Sequence, residues 1–253
     1  MHRLVLSCLL TMLALAARAD ATSASEWLQA VTHNDTVTLS RLLPEADDVN
    51  RATANGKTAL MSAARSADLG LADALLDAGA DVRGENRAAG TALIYAAWSG
   101  HTGIIDLFLD GNARINHRAA NGWTALMMAA AKQHAEAARR LLERGAAADV
   151  PDVYGWTPLM RAAYEGYPRV VEVLLERGKP NQQLINDHGQ TALHLAVIGR
   201  NDAIARQLIV HGASATLPDF DGRNAIELAH ATAQVELVDY MKTQRPPAPA
   251  GQH

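Results

Sequence analysis

Ten histidines and seven methionines are the residues in this chain that first invite chemistry. Metal capture needs ligands that converge at fixed spacing, such as two histidines one helical turn apart or histidines with paired cysteines. No H-x-x-x-H and no H-E-x-x-H occurs, and the single cysteine, Cys8, has no partner. Three histidines, His101, His134 and His194, sit at turn or helix-start positions, where local hydrogen bonding is the expected role. Met61, Met127 and Met160 recur in one slot of a repeat, which would suit a soft metal or a haem if the sulfurs met. Equivalent positions on stacked helices lie about 8–10 Å apart, too far for one metal to bridge. The three are therefore read as polarisable core filler. No nucleophile elbow, paired-carboxylate motif or phosphate-cradling glycine loop is present. The expectation is no cofactor, no metal and no enzyme.

Aromatic residues carry more information. Trp98, Trp123, Tyr154, Trp156, Tyr164 and Tyr167 all fall between residues 98 and 167. Rigidly held rings on an exposed surface are the usual substance of binding hot spots. Arg87 and Arg118 are candidates for charged contacts at the rim of such a surface, where they would act mainly on association rate. A competing reading of Trp123 and Trp156 is that they cover the base of a hairpin.

What must position these residues is a repeat. Residues 122–145, GWTALMMAAAKQHAEAARRLLERG, return 33 residues later as 155–178, GWTPLMRAAYEGYPRVVEVLLERG. A T-x-L step recurs at Thr58, Thr91, Thr124, Thr157 and Thr191, with Asn224 in the same slot. A pair of large apolar residues keeps step with it, as at Leu141-Leu142 and Leu174-Leu175. Three residues further come Gly79, Asn112, Gly145, Gly178 and Gly212, at a helix end that needs a left-handed residue. Each unit reads as two helices, the first capped by Thr or Asn. Small residues such as Ala129-Ala130 let neighbours approach, and the second helix carries the larger apolar face. One pair cannot bury that face alone, but stacked pairs can.

The motif Asp152-Val153-Tyr154-Gly155-Trp156-Thr157-Pro158-Leu159, with Leu141-Leu142-Glu143-Arg144-Gly145-Ala146, resembles the ankyrin repeat. The resemblance covers roughly residues 26–243. It implies a mainly α solenoid of about seven helix-turn-helix units joined by β-hairpin loops. It also implies partner binding by the hairpin tips and first helices, with Trp123 and Trp156 in the variable slot before Thr, and Trp98 and Tyr164 in the variable slot after Ala-Ala. Departures are expected to reshape two hairpins. Ala-Ala-Gly precedes Thr91, and one extra residue lies between Gly178 and Thr191.

The ends read differently. His2 and Arg3, a 14-residue apolar run from Leu4 to Ala17 and the Ala17-Arg18-Ala19 site make residues 1–19 a secretory signal peptide. Residues 20–25 read as a short polar lead, 26–243 as the repeat domain, and 244–253 as a disordered Pro-rich tail. Cleavage removes Arg3 and Arg18, which takes Lys+Arg from 23 to 21 against 27 acidic residues, a net −6. An acidic chain with no basic stripe argues against nucleic acid. The expectation is an exported, monomeric protein-binding scaffold, periplasmic or secreted, off the membrane once processed. It would act as an adaptor or regulator. Alternatives are an inhibitor or immunity-type partner of a toxic enzyme, a host-directed effector, and an enzyme or small-ligand carrier.

Overall fold

A helix that starts at Thr or Asn can satisfy the free N–H groups of its first turn with the side-chain oxygen. In the computed structural model, which describes residues 23–243, the hydroxyls of Thr58, Thr124, Thr157 and Thr191 each accept from the backbone N–H three residues on. Asn224 and Glu227 cap each other, at 3.0 and 2.9 Å. Thr91 departs from the expected pattern. Its hydroxyl is buried but makes no capping bond.

Seven helix pairs follow. They are α1 (23–33) and α2 (Thr36–Leu42); α3 (Ala59–Arg65) and α4 (Leu69–Asp77); α5 (Ala92–Ser99) and α6 (Thr102–Asp110); α7 (Ala125–Ala131) and α8 (Ala135–Glu143). Then come α9 (Pro158–Glu165) and α10 (Pro168–Val173); α11 (Ala192–Ile198) and α12 (Asp202–Val210); α13 (Ala225–Ala231) and α14 (Val235–Thr243). The first helices pack as one row beside the hairpins, and the second helices form an outer row behind them. The paired alanines of the inner row are fully buried, as are Leu75, Phe108, Leu141, Leu174 and Leu208 of the outer row. His194 is also fully buried, with Nδ1 at 2.8 Å from the Thr191 hydroxyl.

The hairpins are closed turns, and no strand occurs among the described residues beyond one isolated bridge between Glu85 and Thr91. Each closes with a backbone bond to the residue four on, for example Asp152 N to Trp156 O at 2.8 Å. Each after the first also hangs on the hairpin before it. Ala120 N donates to Ala88 O at 2.9 Å, and Val153 N to Asn121 O at 3.1 Å.

Neither expected hairpin distortion occurs. Asn186 N still donates to Gln190 O at 3.0 Å, so the extra residue does not lengthen that hairpin. It is absorbed earlier, where α10 widens into a π-helical turn over Leu174–Gly178. The left-handed position moves with it from Gly178 to Lys179 (φ 45°), whereas Asn112 takes that conformation as expected (φ 66°). Gly178 is needed for closeness instead, since a Cβ there would lie 2.9 Å from the Ala148 Cβ. The Ala-Ala-Gly hairpin also keeps its shape, because Ala89 accepts the left-handed conformation (φ 53°) that glycine supplies in the other units. That conformation costs a non-glycine residue about 1–2 kcal/mol.

The sequence reads Arg139, Arg140 and Arg144 as a solvated helix face. Arg139 does pair only with Glu136 of its own helix. Arg140 and Arg144 instead tie two units together. Arg140 bonds Asp106 of α6 at 2.7 Å, and Arg144 bonds Asp106 at 2.8 Å and Asp110 at 2.6 Å. Those carboxylates, Asp106 for Arg140 and Asp110 for Arg144, hold both guanidinium pKa values above the ordinary arginine range. The proposed signal peptide and the Pro-rich tail lie outside the described residues. Ser23, Ala24 and Ser25 of the polar lead already belong to α1.

Candidate protein-binding face

Three columns of side chains line the hairpin side of the inner row. One is the residue just before each helix cap: Lys57, Gly90, Trp123, Trp156, Gln190 and Arg223. The others lie four and seven residues after the cap, on one face of the inner helix because those spacings share a face. Tyr95, Met128 and Arg161 belong to the first of these columns, and Arg65, Trp98, Tyr164 and Ile198 to the second.

The predicted aromatics fall into two groups. Trp123, Trp156 and Tyr164 come together through Arg161, whose guanidinium lies 5.3 Å from the Trp123 ring centroid and 4.4 Å from that of Trp156. Tyr164 meets Trp156 edge-on, at 5.5 Å and 87°. Asp152 fixes this group from below. Its side chain is almost fully buried, accepts from Tyr154 N and Trp156 N at 2.9 Å, and pairs with Arg161 at 3.3 Å. Trp98 stands apart, with the Arg65 guanidinium 3.5 Å from its ring centroid and the Lys132 ammonium at 5.7 Å. His134 Nε2 lies 3.0 Å from Trp98 O, which holds the end of α5.

Exposure divides the candidates further. Trp98, Trp123 and Trp156 are half-buried, and Trp156 also packs on the core. Tyr154 and Tyr164 are 63% and 41% exposed, enough for a partner to cover. Arg87 is exposed and makes no ion pair among the described residues, while Arg118 donates to Pro151 O at 2.9 Å.

Reading the sequence misses Arg65, Lys132 and Arg161, the cations that lie over the rings. The sequence carries a signal for one of these pairs, since Arg65 and Trp98 share one column 33 residues apart. Phe220, 71% exposed on the last hairpin, was also missed. Met61, Met127 and Met160 are buried in the helix stack, and among the described residues no three His, Cys, Asp or Glu side chains gather as a metal site would require. His101 Nδ1 accepts from Ile104 N at 3.2 Å, the local role expected of it.

A family model described as ankyrin repeats (3 copies) matches residues 27–119 and 93–184, and one described as ankyrin repeats (many copies) matches residues 174–229. The chain belongs to the ankyrin-repeat family. No curated protein matches the sequence. Ankyrin-repeat proteins are generally non-catalytic scaffolds, so this ankyrin-repeat chain is suited to holding another protein. No helix among its described residues is long and apolar enough to cross a membrane.

Proposed function

We propose that this ankyrin-repeat protein is an exported, monomeric adaptor or regulator that holds a partner protein on the hairpin and inner-helix face of its central units. One observation carries the site: Trp123, Arg161, Trp156 and Tyr164 form a single packed group, fixed from below by buried Asp152 and open to solvent at Tyr164 and Tyr154. Rings already immobilised lose little entropy when a partner covers them, so each can contribute about 2 kcal/mol or more. Export rests on the leader motif of residues 1–19.

The double change Trp123→Ala, Trp156→Ala is expected to weaken partner capture at least tenfold while helical circular dichroism persists. A folded double mutant that captures normally would move the binding face elsewhere. An unfolded one would make the indoles hairpin cover. Intact-mass measurement of protein from its own host is expected to place the N-terminus at Asp20, and an unprocessed chain would remove the export proposal.

A further inference from the structure

The column before the helix caps has a gap. Trp123 and Trp156 occupy it in two successive units, but the unit before them has Gly90. With no side chain there, a cleft of about 430 Å³ opens between the third and fourth units. Tyr95, Trp98, Trp123 and Met128 wall it, and Arg65 stands beside them. That volume falls in the range that encloses a small ligand or a large side chain.

The charges around the cleft are one-sided. Arg65, Arg87 and Lys132 have no carboxylate partner among the described residues, and Arg118 bonds only a backbone carbonyl. Arg87 lies between two lining residues, Asn86 and Ala88, and Arg118 precedes a third, Ala119. In a chain of net charge −4, Arg65 lines the cleft and Lys132 lies 5.7 Å from the ring of its Trp98 wall, while Arg87 and Arg118 belong to the two hairpins that bound it. A guanidinium stacked on a ring keeps its edge N–H donors free for a carboxylate.

We propose, resting on the protein-binding reading above, that this cleft anchors one apolar or aromatic side chain of an acidic segment of the partner. Carboxylates flanking that side chain pair with Arg65, Arg87, Arg118 and Lys132. The apolar walls select the anchor, and the unmatched cations select the acidic flanks by charge complementarity. Single-stranded nucleic acid fits less well. A base needs an open ring face, and Arg65 already covers Trp98 at 3.5 Å.

The test is a random dodecamer peptide library displayed on phage and selected on the intact chain. Enriched sequences are then made synthetically and titrated against two variants. Gly90→Trp fills the cleft with the residue that the next two units carry, and the atoms nearest to a Cβ at that position belong to the Asn86 side chain, at 3.1 Å or more, which must shift by a few tenths of an ångström. The second variant, Arg65→Gln with Lys132→Gln, changes surface groups and leaves the cleft open. Expected are peptides with Phe, Trp or Leu between Asp or Glu residues, at least tenfold weaker binding to Gly90→Trp, and at least threefold weaker, less salt-dependent binding to the double variant. Enriched peptides without acidic residues, or Gly90→Trp binding them as the native chain does, would overturn the cleft proposal while leaving the wider face open to the Trp123/Trp156 test. No enrichment at all would overturn it too. An oligo(dT) probe that binds and competes with the peptides would assign the cleft to nucleic acid instead.

Discussion

On the outer row, Arg140 and Arg144 of α8 reach to Asp106 and Asp110 of α6 at 2.6–2.8 Å. On the inner face, Arg65 lies over Trp98, and Arg161 lies beside Trp123 and Trp156. Both faces place arginine at repeat positions, yet they use it differently. Outer guanidiniums spend their donors on carboxylates of the neighbouring unit, which ties the stack and leaves little for a ligand. Inner guanidiniums are held by ring faces. Only Arg161 also has a carboxylate, Asp152 at 3.3 Å, and that pair fixes the ring group in place. The same residue type is structural on one side and available on the other. For these four arginines, what decides is the neighbour in the adjacent unit, an acidic residue on the outer row and a ring on the inner face.

The largest expected effect lies beneath the outer network. Leu141 of α8 is fully buried in the shared core. Leu141→Ala should cost about 2–5 kcal/mol in chemical denaturation. A loss below about 0.5 kcal/mol, the usual surface level, would mean that the outer row is not packed as described.

Acid should strike the hairpin side first. Burial holds the His194 pKa below the ordinary value of 6.5, against the opposing pull of the Asp219 carboxylate. As pH falls past about 6.5, the unfolded chain takes up a proton that the folded chain resists. The stability contributed by neutral His194 is therefore complete above that pH and is lost as pH falls toward the folded value. His194→Gln should flatten the pH dependence of unfolding between pH 7 and 5. An unchanged slope would assign the acid sensitivity to another group.

The two charge networks should differ in their response to salt. Asp106→Asn removes the shared acceptor of Arg140 and Arg144, so its Tm should fall in low salt and approach the native value in high salt. Arg65→Gln removes an inner cation that has no carboxylate, and its stability should stay within about 0.5 kcal/mol of native in either condition. If Arg65→Gln destabilises more than Asp106→Asn in low salt, the contrast between the faces is wrong.

Much of this protein was legible in one dimension. A 33-residue period with Thr caps, alanine pairs and Leu-Leu steps specifies stacked helix pairs, because no single unit can bury its apolar face. The spacing also placed Leu141 and Leu174 in the core and Asn112 in a left-handed turn, since those depend only on position within a unit. What was not legible depends on contact between units. Nothing in the motif told whether the extra residue near Gly178 would enter the hairpin or the helix. Hairpin-to-hairpin bonds hold every turn in register, so the softer end of α10 yielded. Ala89 was forced into a glycine conformation for the same reason.

The sequence by itself determined the solenoid, its cap residues and its core, because these follow from local propensity and periodic burial. It also named the aromatic candidates Trp98, Trp123, Tyr154, Trp156 and Tyr164, with Arg87 and Arg118, although their use by a partner remains a proposal. Only the tertiary structure decided which cation meets which ring, that Arg140 and Arg144 bind the unit before them, and that Gly90 opens a cleft where the next two units carry indole. Apart from Arg161 on Trp156 within one unit, each of these is a distance between residues about 30 or more apart in the chain, and such distances exist only once the units are stacked.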